Sequence, residues 1–333
     1  MTHPNSATPL DDAVLAAADR SLDHIARARE AVGKVVFGQE EVVEQALVTL
    51  LAGGHGLLVG VPGLAKTRLV ETLGKVLGLA EQRVQFTPDL LPADILGSEV
   101  LEEGADKSRA FRFIPGPIFA QLLMADEINR ASPRTQSALL QAMQEHHVSV
   151  AGVRHDLPRP FHVLATQNPL EQEGTYPLPE AQLDRFLMEI DVPYPDRASE
   201  RRVMLETTGA DVAEPARALD AEELMAIQRL VRRLPVGDKV IDAILDLVRA
   251  ARPGEGDPEI SKYVSWGPGP RAAQALMLAT RARALATGRL SPSLDDVAAL
   301  AAPVLRHRMA LTYPARRETT VAALIGKLVS RIG

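Results

Sequence analysis

Three short stretches of this chain hold the residue types that phosphate chemistry requires. The first is Gly60-Val-Pro-Gly-Leu-Ala-Lys66-Thr67, followed by Arg68. Small residues let successive backbone N–H groups turn toward an anion, and a helix opening at Lys66 adds positive potential. Gly60, Val61, Pro62, Gly63, Leu64, Ala65, Lys66, Thr67 and Arg68 are therefore the candidate nucleotide-binding run. Lys66 is expected to reach the β- and γ-phosphates and the Thr67 hydroxyl to ligate Mg²⁺. Ala65 stands where the general pattern has glycine, and the plainer reading of the segment is a Gly/Pro turn ahead of a lysine-initiated helix. The second stretch, Leu122-Leu-Met-Ala-Asp126-Glu127, is an apolar strand ending in two carboxylates. A strand-end Asp126 suits a Mg²⁺ ion, and Glu127 can polarise a water for attack on a γ-phosphate. The third is the strand exit Gln167-Asn168-Pro169, whose amide at Asn168 can hold that water or touch the phosphate. Alone, Asn-Pro is only a turn signal.

These residues need a scaffold that brings strand ends together. Five candidate strands are Gly56–Gly60, Arg83–Thr87, Gln121–Ala125, Phe161–Thr166 and Leu187–Val192. Helical patterns over Lys66–Leu77, Pro133–His146 and Pro179–Arg185 separate them, which predicts a mostly parallel five-stranded sheet covered on both faces. The 97–117 interval reads as an inserted hairpin or loop, and 148–158 as a second hairpin. Two helices precede the sheet, Ala13 to about Val35 and Glu40 to Leu51, behind a polar leader over residues 1–12. After Pro193-Tyr-Pro195 strand patterns cease. Asp220–Leu234, Asp238–Ala251, Arg271–Thr287, Ser293–His307 and a last C-terminal segment read as helices. The expected organisation is a leader and helix over 1–32, an α/β domain over 33–195, and an all-helical domain over 196–333.

Composition narrows the chemistry. The 333 residues contain no cysteine, so disulfides, thiol catalysis and iron–sulfur clusters are excluded. A net charge of −6 with a pI near 5.8 argues against sequence-independent binding to duplex nucleic acid. No apolar run approaches a membrane span, and Met1-Thr-His-Pro-Asn-Ser does not begin like a secretory signal, so a cytoplasmic protein without membrane insertion is expected. His146, His147, His155 and His162 lack ligand spacing and read as structural. Arg229, Arg232 and Arg233 read as a solvated helix face, and Trp266 as a packing anchor. The Asn-Lys-x-Asp pattern of guanine readers is absent, which favours ATP.

Longer motifs point to one family. Besides the Gly60–Thr67 run, they are Gln85-Phe-Thr-Pro-Asp-Leu-Leu-Pro92, Ala125-Asp-Glu-Ile-Asn-Arg-Ala131, Thr135-Gln-Ser-Ala-Leu-Leu-Gln-Ala-Met-Gln-Glu145, Ala165-Thr-Gln-Asn-Pro169 and Glu173-Gly-Thr-Tyr-Pro-Leu-Pro-Glu-Ala-Gln-Leu-Asp-Arg-Phe186. Over about residues 33–310 the chain resembles AAA+ ATPases of the MoxR type, including the unusual Ala65. The resemblance implies a P-loop AAA+ domain with a C-terminal helical lid. In it Lys66 and Thr67 form the Walker A pair, Asp126 and Glu127 the Walker B pair, and Asn168 sensor 1. Arg185 matches an arginine finger acting on a neighbour's nucleotide, and Arg271 the sensor 2 arginine of the lid. Val36-Phe-Gly38-Gln39 matches the segment along the adenine base. The 97–117 interval matches the helix-2 insert, and 148–158 the pre-sensor-1 hairpin. Gly269, where serine is commoner, is a departure near the lid arginine.

The resemblance also implies a function. It is a ring-forming, in all expectation hexameric, MgATP hydrolase that remodels a protein client or inserts metals or cofactors, with von Willebrand factor A-domain partner proteins. ATP is expected between the α/β domain and the lid. A nucleic-acid translocase and a nucleotide-gated scaffold with negligible turnover are the competing readings. The acidic pI weighs against the first, and Glu127, Asn168 and Arg185 against the second.

Overall fold

The computed structural model describes residues 12–103, 109–170, 174–208 and 214–332, so the leader expected over residues 1–11 lies outside the described residues. Helices α1 (Asp12–Gly33) and α2 (Glu40–Leu51) lead into β1 (Gly56–Val59), α3 (Lys66–Val76) and β2 (Glu81–Gln85). Then come α4 (Pro92–Leu96), β3 (Gly97–Glu103), β4 (Arg109–Pro115), β5 (Leu122–Asp126) and α5 (Pro133–Glu145). The α/β part closes with β6 (His147–Val150), β7 (Val153–Asp156), β8 (His162–Gln167), α6 (Glu180–Leu183) and β9 (Met188–Asp191). Helices α7 (Arg197–Thr207), α8 (Ala221–Arg233), α9 (Asp238–Ala250) and α10 (Pro258–Ser261) follow. The last elements are β10 (Val264–Trp266), α11 (Pro270–Ala286), α12 (Leu294–Leu305), β11 (Ala310–Leu311) and α13 (Val321–Val329).

The five predicted strands form one parallel sheet in the order β2-β5-β8-β1-β9. Its inner strands β1, β5 and β8 are buried on both faces, as the centre of a parallel sheet requires, while the edge strand β2 buries only Val84. Leu58, Leu122, Met124 and Leu164 face one core, and Leu57, Leu123, Ala125, Val163 and Ala165 the other. The second core is capped by α5 through Leu139, Leu140 and Met143. The two expected hairpins are present as the antiparallel pairs β3–β4 and β6–β7. Helix α6 is shorter than the pattern over Pro179–Arg185 suggested. Among the described residues downstream of β9 the only strand pairing is one short ribbon, β10–β11, which the helical pattern did not anticipate.

The C-terminal helices share the first core with α1, α2 and one face of the sheet, so the two parts pack as one body rather than meeting at a polar seam. Polar clamps reinforce this contact. Arg283 of α11 donates to Glu44 of α2 at 2.8 Å and to the fully buried Asp296 of α12 at 2.6 Å. Arg308, itself buried, donates to the Asp184 carboxylate at 2.7 Å and to the carbonyls of Phe186 and Leu187 at 2.6 and 3.2 Å. A guanidinium with this many acceptors offsets its burial cost through charge-assisted bonds.

Two buried histidines complete the seam. His162 Nδ1 lies 2.8 Å from the Gly54 carbonyl, and its Nε2 meets the Gln228 amide at 3.0 Å. His55 Nδ1 accepts from Val163 N–H at 2.9 Å, and its Nε2 lies 3.2 Å from the Met143 carbonyl. Both rings therefore work as neutral imidazoles, each with one donor and one acceptor. Burial depresses their pKa values, His55 to about 3 and His162 to about 4. Unfolded histidine titrates near 6.5, so below that pH the unfolded chain binds protons that the folded chain refuses. Stability is then complete above about pH 6.5 and falls as pH drops toward 4, by up to about 1.4 kcal/mol per pH unit for each ring. Denaturant midpoints measured between pH 7 and 4.5 should fall steeply in the native chain and less steeply in His55→Gln; equal slopes would show that His55 does not carry the effect.

Candidate active site

The phosphate loop begins where β1 ends. Gly60 donates its N–H to Gln167 O at 3.2 Å, and a Cβ there would lie 2.7 Å from Val192 O, so only glycine fits. Gly63 and Ala65 both take positive φ, +85° and +57°. Left-handed residues in such a turn aim neighbouring N–H groups into one concavity, a shape suited to anions. For Ala65 this conformation costs on the order of 1 kcal/mol, which glycine would avoid. Lys66 follows as the first residue of α3, and its Nζ donates to the Val61 carbonyl at 2.9 Å and to the Gly60 carbonyl. Burial lowers the Lys66 pKa, and the negative charges of Asp126 and Glu127 oppose that shift. The lysine thus lies within electrostatic reach of both carboxylates. Thr67 and Arg68 sit in the first turn of α3.

Parallel register delivers the other predicted residues to the same edge. Asp126 pairs with Gln85 across β2–β5, and Ala125 with Ala165 across β5–β8, so the ends of these strands lie side by side. Asp126 is buried and Glu127 turns out of the strand with φ +55°. Asn168 is buried just beyond β8, its Oδ1 accepting from Leu170 N–H at 3.1 Å. Four residues that sequence reasoning did not single out organise the two carboxylates. Thr166 donates to Asp126 Oδ1 at 2.6 Å and accepts the Glu127 N–H at 2.9 Å. Arg83 donates to Asp126 Oδ2 at 2.6 Å, and Gln85 and Arg130 donate to Glu127 Oε2 at 2.8 and 3.0 Å. Their positions at or beside strand ends were readable, but their side-chain aim was not.

Beside the loop lies a cavity of about 350 Å³ lined by Val35, Val36, Phe37, Ala65, Arg68 and Val203, among others. Gly38 has φ +68°, and a Cβ there would meet the Ser199 side chain at 2.3 Å. Gln39 donates to Pro193 O at 2.9 Å, while its buried Oε1 has no partner. A largely apolar cavity with Phe37 and Val203 in its wall is suited to a flat ring.

Arg185 and Arg271 are elsewhere. Met188 pairs with Gly56, the first residue of β1, so Arg185 stands at the amino edge of the sheet, away from the loop that follows Val59. The four residues of β1 alone span roughly 13 Å. Arg271, at the start of α11, lies 3.8 Å from Asp184 and lines the same 220 Å³ cavity as Arg185. Arg185 donates to Leu140 O, and its buried Nε has no partner. The lid arginine Arg271, expected beside the nucleotide, thus does not face the phosphate loop of its own chain. Among the described residues of the 196–333 segment only α7 borders the cavity beside the loop, whereas α11 covers the opposite edge.

Comparison with known proteins decides the family. Residues 55–188 match the profile described as ATPase family associated with various cellular activities (AAA), and residues 259–327 match the AAA lid domain. The chain is 41% identical over 316 residues to "Chaperone MoxR1" of Mycobacterium tuberculosis, covering 93% of this chain and 83% of that one. It is 34% identical to "Protein MoxR" of Paracoccus denitrificans, covering 90% and 92%. The crystal structure of a candidate ATPase from Cytophaga hutchinsonii superposes with a TM-score of 0.87 at 35% identity, covering 97% of this chain and 99% of that one.

The chain belongs to the MoxR-type AAA+ ATPases.

Within this MoxR-type fold His147 lies 3.0 Å from the Glu145 carbonyl and His162 2.8 Å from the Gly54 carbonyl. His146 packs edge-on to Phe161 and His155 stacks on Phe113, and among the described residues no group of three or more His, Asp or Glu forms a metal site. No helix among them is long and apolar enough to cross a membrane. Thr166 is the most testable of the organising residues. Replacing its hydroxyl by the methyl of Thr166→Val leaves the buried Glu127 N–H without an acceptor and removes a donor from Asp126, a loss of about 2 kcal/mol. Chemical denaturation should show that drop, with Thr166→Ser close to the native midpoint; an unshifted Val variant would count against the bridge.

Proposed function

We propose that this chain binds MgATP at the carboxyl edge of its sheet and hydrolyses it with arginines lent by a neighbouring copy. The supporting observation is the division of the predicted residues between two edges. The loop, Asp126, Glu127 and Asn168 gather at one edge, while Arg185 and Arg271 gather at the other. Charge develops on the γ-phosphoryl oxygens during transfer, and a cation is needed there. Arg185 and Arg271 of the same chain cannot supply it across the width of the sheet. Head-to-tail stacking of identical copies can, and such contacts repeat until a ring closes.

In this reading the base occupies the slot by Phe37 and Val203, with Gln39 Oε1 accepting its amino group. Backbone N–H groups of Gly63 to Lys66 cradle the phosphates, and Lys66 neutralises their charge. Asp126 and Thr67 would hold Mg²⁺, which when bound polarises the β- and γ-phosphate oxygens. Glu127 takes a proton from the attacking water, whose oxygen bonds to the γ-phosphorus as the bond to the β–γ bridging oxygen breaks. ADP and phosphate result. Asn168 orients that water, and the arginines stabilise the departing charge. Boundaries at 33–195 for the α/β domain and 196–333 for the lid fit this division of labour. By analogy with the relatives named for chaperone work, the cycle remodels a protein client. A hexameric ring in the cytoplasm, with a von Willebrand factor A-domain protein as co-factor, completes the reading.

Two measurements test it. Glu127→Gln should bind ATP like the native chain and lose turnover by a factor on the order of 10² to 10⁴. Native turnover in that variant would remove Glu127 from the chemistry and favour a different base. Arg185→Ala and Lys66→Ala subunits, each inactive alone, should recover part of the native rate when mixed, because some seams then pair an intact loop with an intact arginine. No recovery at any ratio would place all catalytic groups in a single chain.

A further inference from the structure

One helix is left without a partner by its own chain. Helix α7 contains no buried residue, and its apolar side chains Met204 and Leu205 are 67% and 60% exposed. An adjacent turn adds Tyr194, 70% exposed. Its inward face is polar apart from Val203: Ser199 lies against Gly38, Arg202 stacks on Phe37 at 4.4 Å, and Val203, Glu206 and Thr207 line the cavity beside Ala65 and Arg68. Contiguous exposed apolar side chains of this size mark an interaction surface.

A receptor of matching character lies on the opposite side of the molecule. Helices α9 and α11 frame a groove of about 550 Å³ lined by Ile241, Ile244, Leu245, Ala273, Met277 and Leu278. Leu245 is 45% exposed on its lip. The groove runs into the cavity of Arg185 and Arg271, because Arg232, Gln274 and Leu278 line both. Charge is complementary too. Among the described residues Arg232 and Arg281 form no ion pair, and the Nε of Arg281 is buried without a partner. Burial, and then the nearby charge of Arg232, lower the Arg281 pKa, which places the two guanidiniums close together. On α7, Glu200 is exposed and forms no ion pair among the described residues.

We propose that α7 of one copy docks into the α9–α11 groove of the next, with Met204 and Leu205 in the apolar slot and Glu200 toward Arg232 and Arg281. The proposal rests on the shared-site reading above. The contact that carries Arg185 and Arg271 toward a neighbour's phosphate loop carries the adjoining groove toward that neighbour's α7, which borders the same nucleotide slot. Assembly and nucleotide binding then meet on one short helix. A base held against Val203 steadies α7, and a steadier α7 presents its apolar ridge at lower entropic cost.

The absence of cysteine makes the test clean. Met204→Cys and Leu245→Cys are introduced together and the protein is treated with a flexible bismaleimide in the presence of MgATP. A ladder of covalent multimers is expected, whereas either single variant should stop at a dimer. Leu205→Asp, at a site too exposed to threaten the monomer, should raise the concentration needed for assembly at least tenfold with an unchanged monomer melting curve. If mixed Arg185→Ala and Lys66→Ala subunits regain activity but the double-cysteine chain gives no ladder and Leu205→Asp assembles normally, this docking is wrong and the shared site stands. If mixing fails as well, both fall.

Discussion

All five strands of the central sheet run in one direction, so each delivers its last residue to one edge and its first to the other. That polarity governs everything built on the sheet. Loops at the carboxyl edge receive the phosphate-binding turn, both carboxylates and Asn168. The segment entering β9 at the amino edge receives Arg185. No side chain is long enough to bridge the two, because β1 alone spans roughly 13 Å. A chain of this topology separates its own phosphate-loop turn and carboxylates from its own Arg185.

The helical part of the molecule enforces the separation. Apart from α7, it does not reach the phosphate loop among the described residues. Its α8, α11 and α12 helices continue the apolar core that α1 and α2 begin on one face of the sheet. Arg308 then grips the strand entry from the side, bonding the Asp184 carboxylate and the carbonyls of Phe186 and Leu187. Arg185 lies between those anchors, so its backbone is held by the lid while its side chain donates to Leu140 O. Asp184 also meets Arg271, so one carboxylate serves both Arg271 and Arg308.

At the other edge the organising force is hydrogen-bond satisfaction. Asp126 is buried, and a buried carboxylate must find donors. Thr166 and Arg83 provide them, and the same threonine accepts the N–H of Glu127. Glu127 can therefore take its left-handed conformation at the end of an otherwise extended strand, a departure that neighbouring structure must over-determine. Ala65 makes a similar departure in the phosphate loop, where glycine would relax it and the alanine methyl restricts the turn.

Much of this was legible in the residues. Short apolar runs separated by amphipathic ones dictate a parallel sheet, because only crossover helices can connect such strands. Gly60 to Thr67, Asp126-Glu127 and Asn168 declared themselves because backbone turn chemistry and strand-end position are local properties. The β10–β11 ribbon escaped notice because two- and three-residue strands carry no period to detect. Thr166, Arg83, Gln85 and Arg130 escaped because a side chain's aim depends on neighbours far away in the chain.

The deepest difference concerns the lid. Its helices were written in the local pattern, but where they pack was not. Spacing can place Arg271 at a helix start; only the burial of α8, α11 and α12 against α1 and α2 decides that this helix start faces Asp184 and not the phosphate loop. Local sequence thus determined which groups this protein possesses, since propensity and turn geometry act over a few residues. Tertiary structure alone decided which groups stand together, since that follows from apolar surfaces brought together over hundreds of residues.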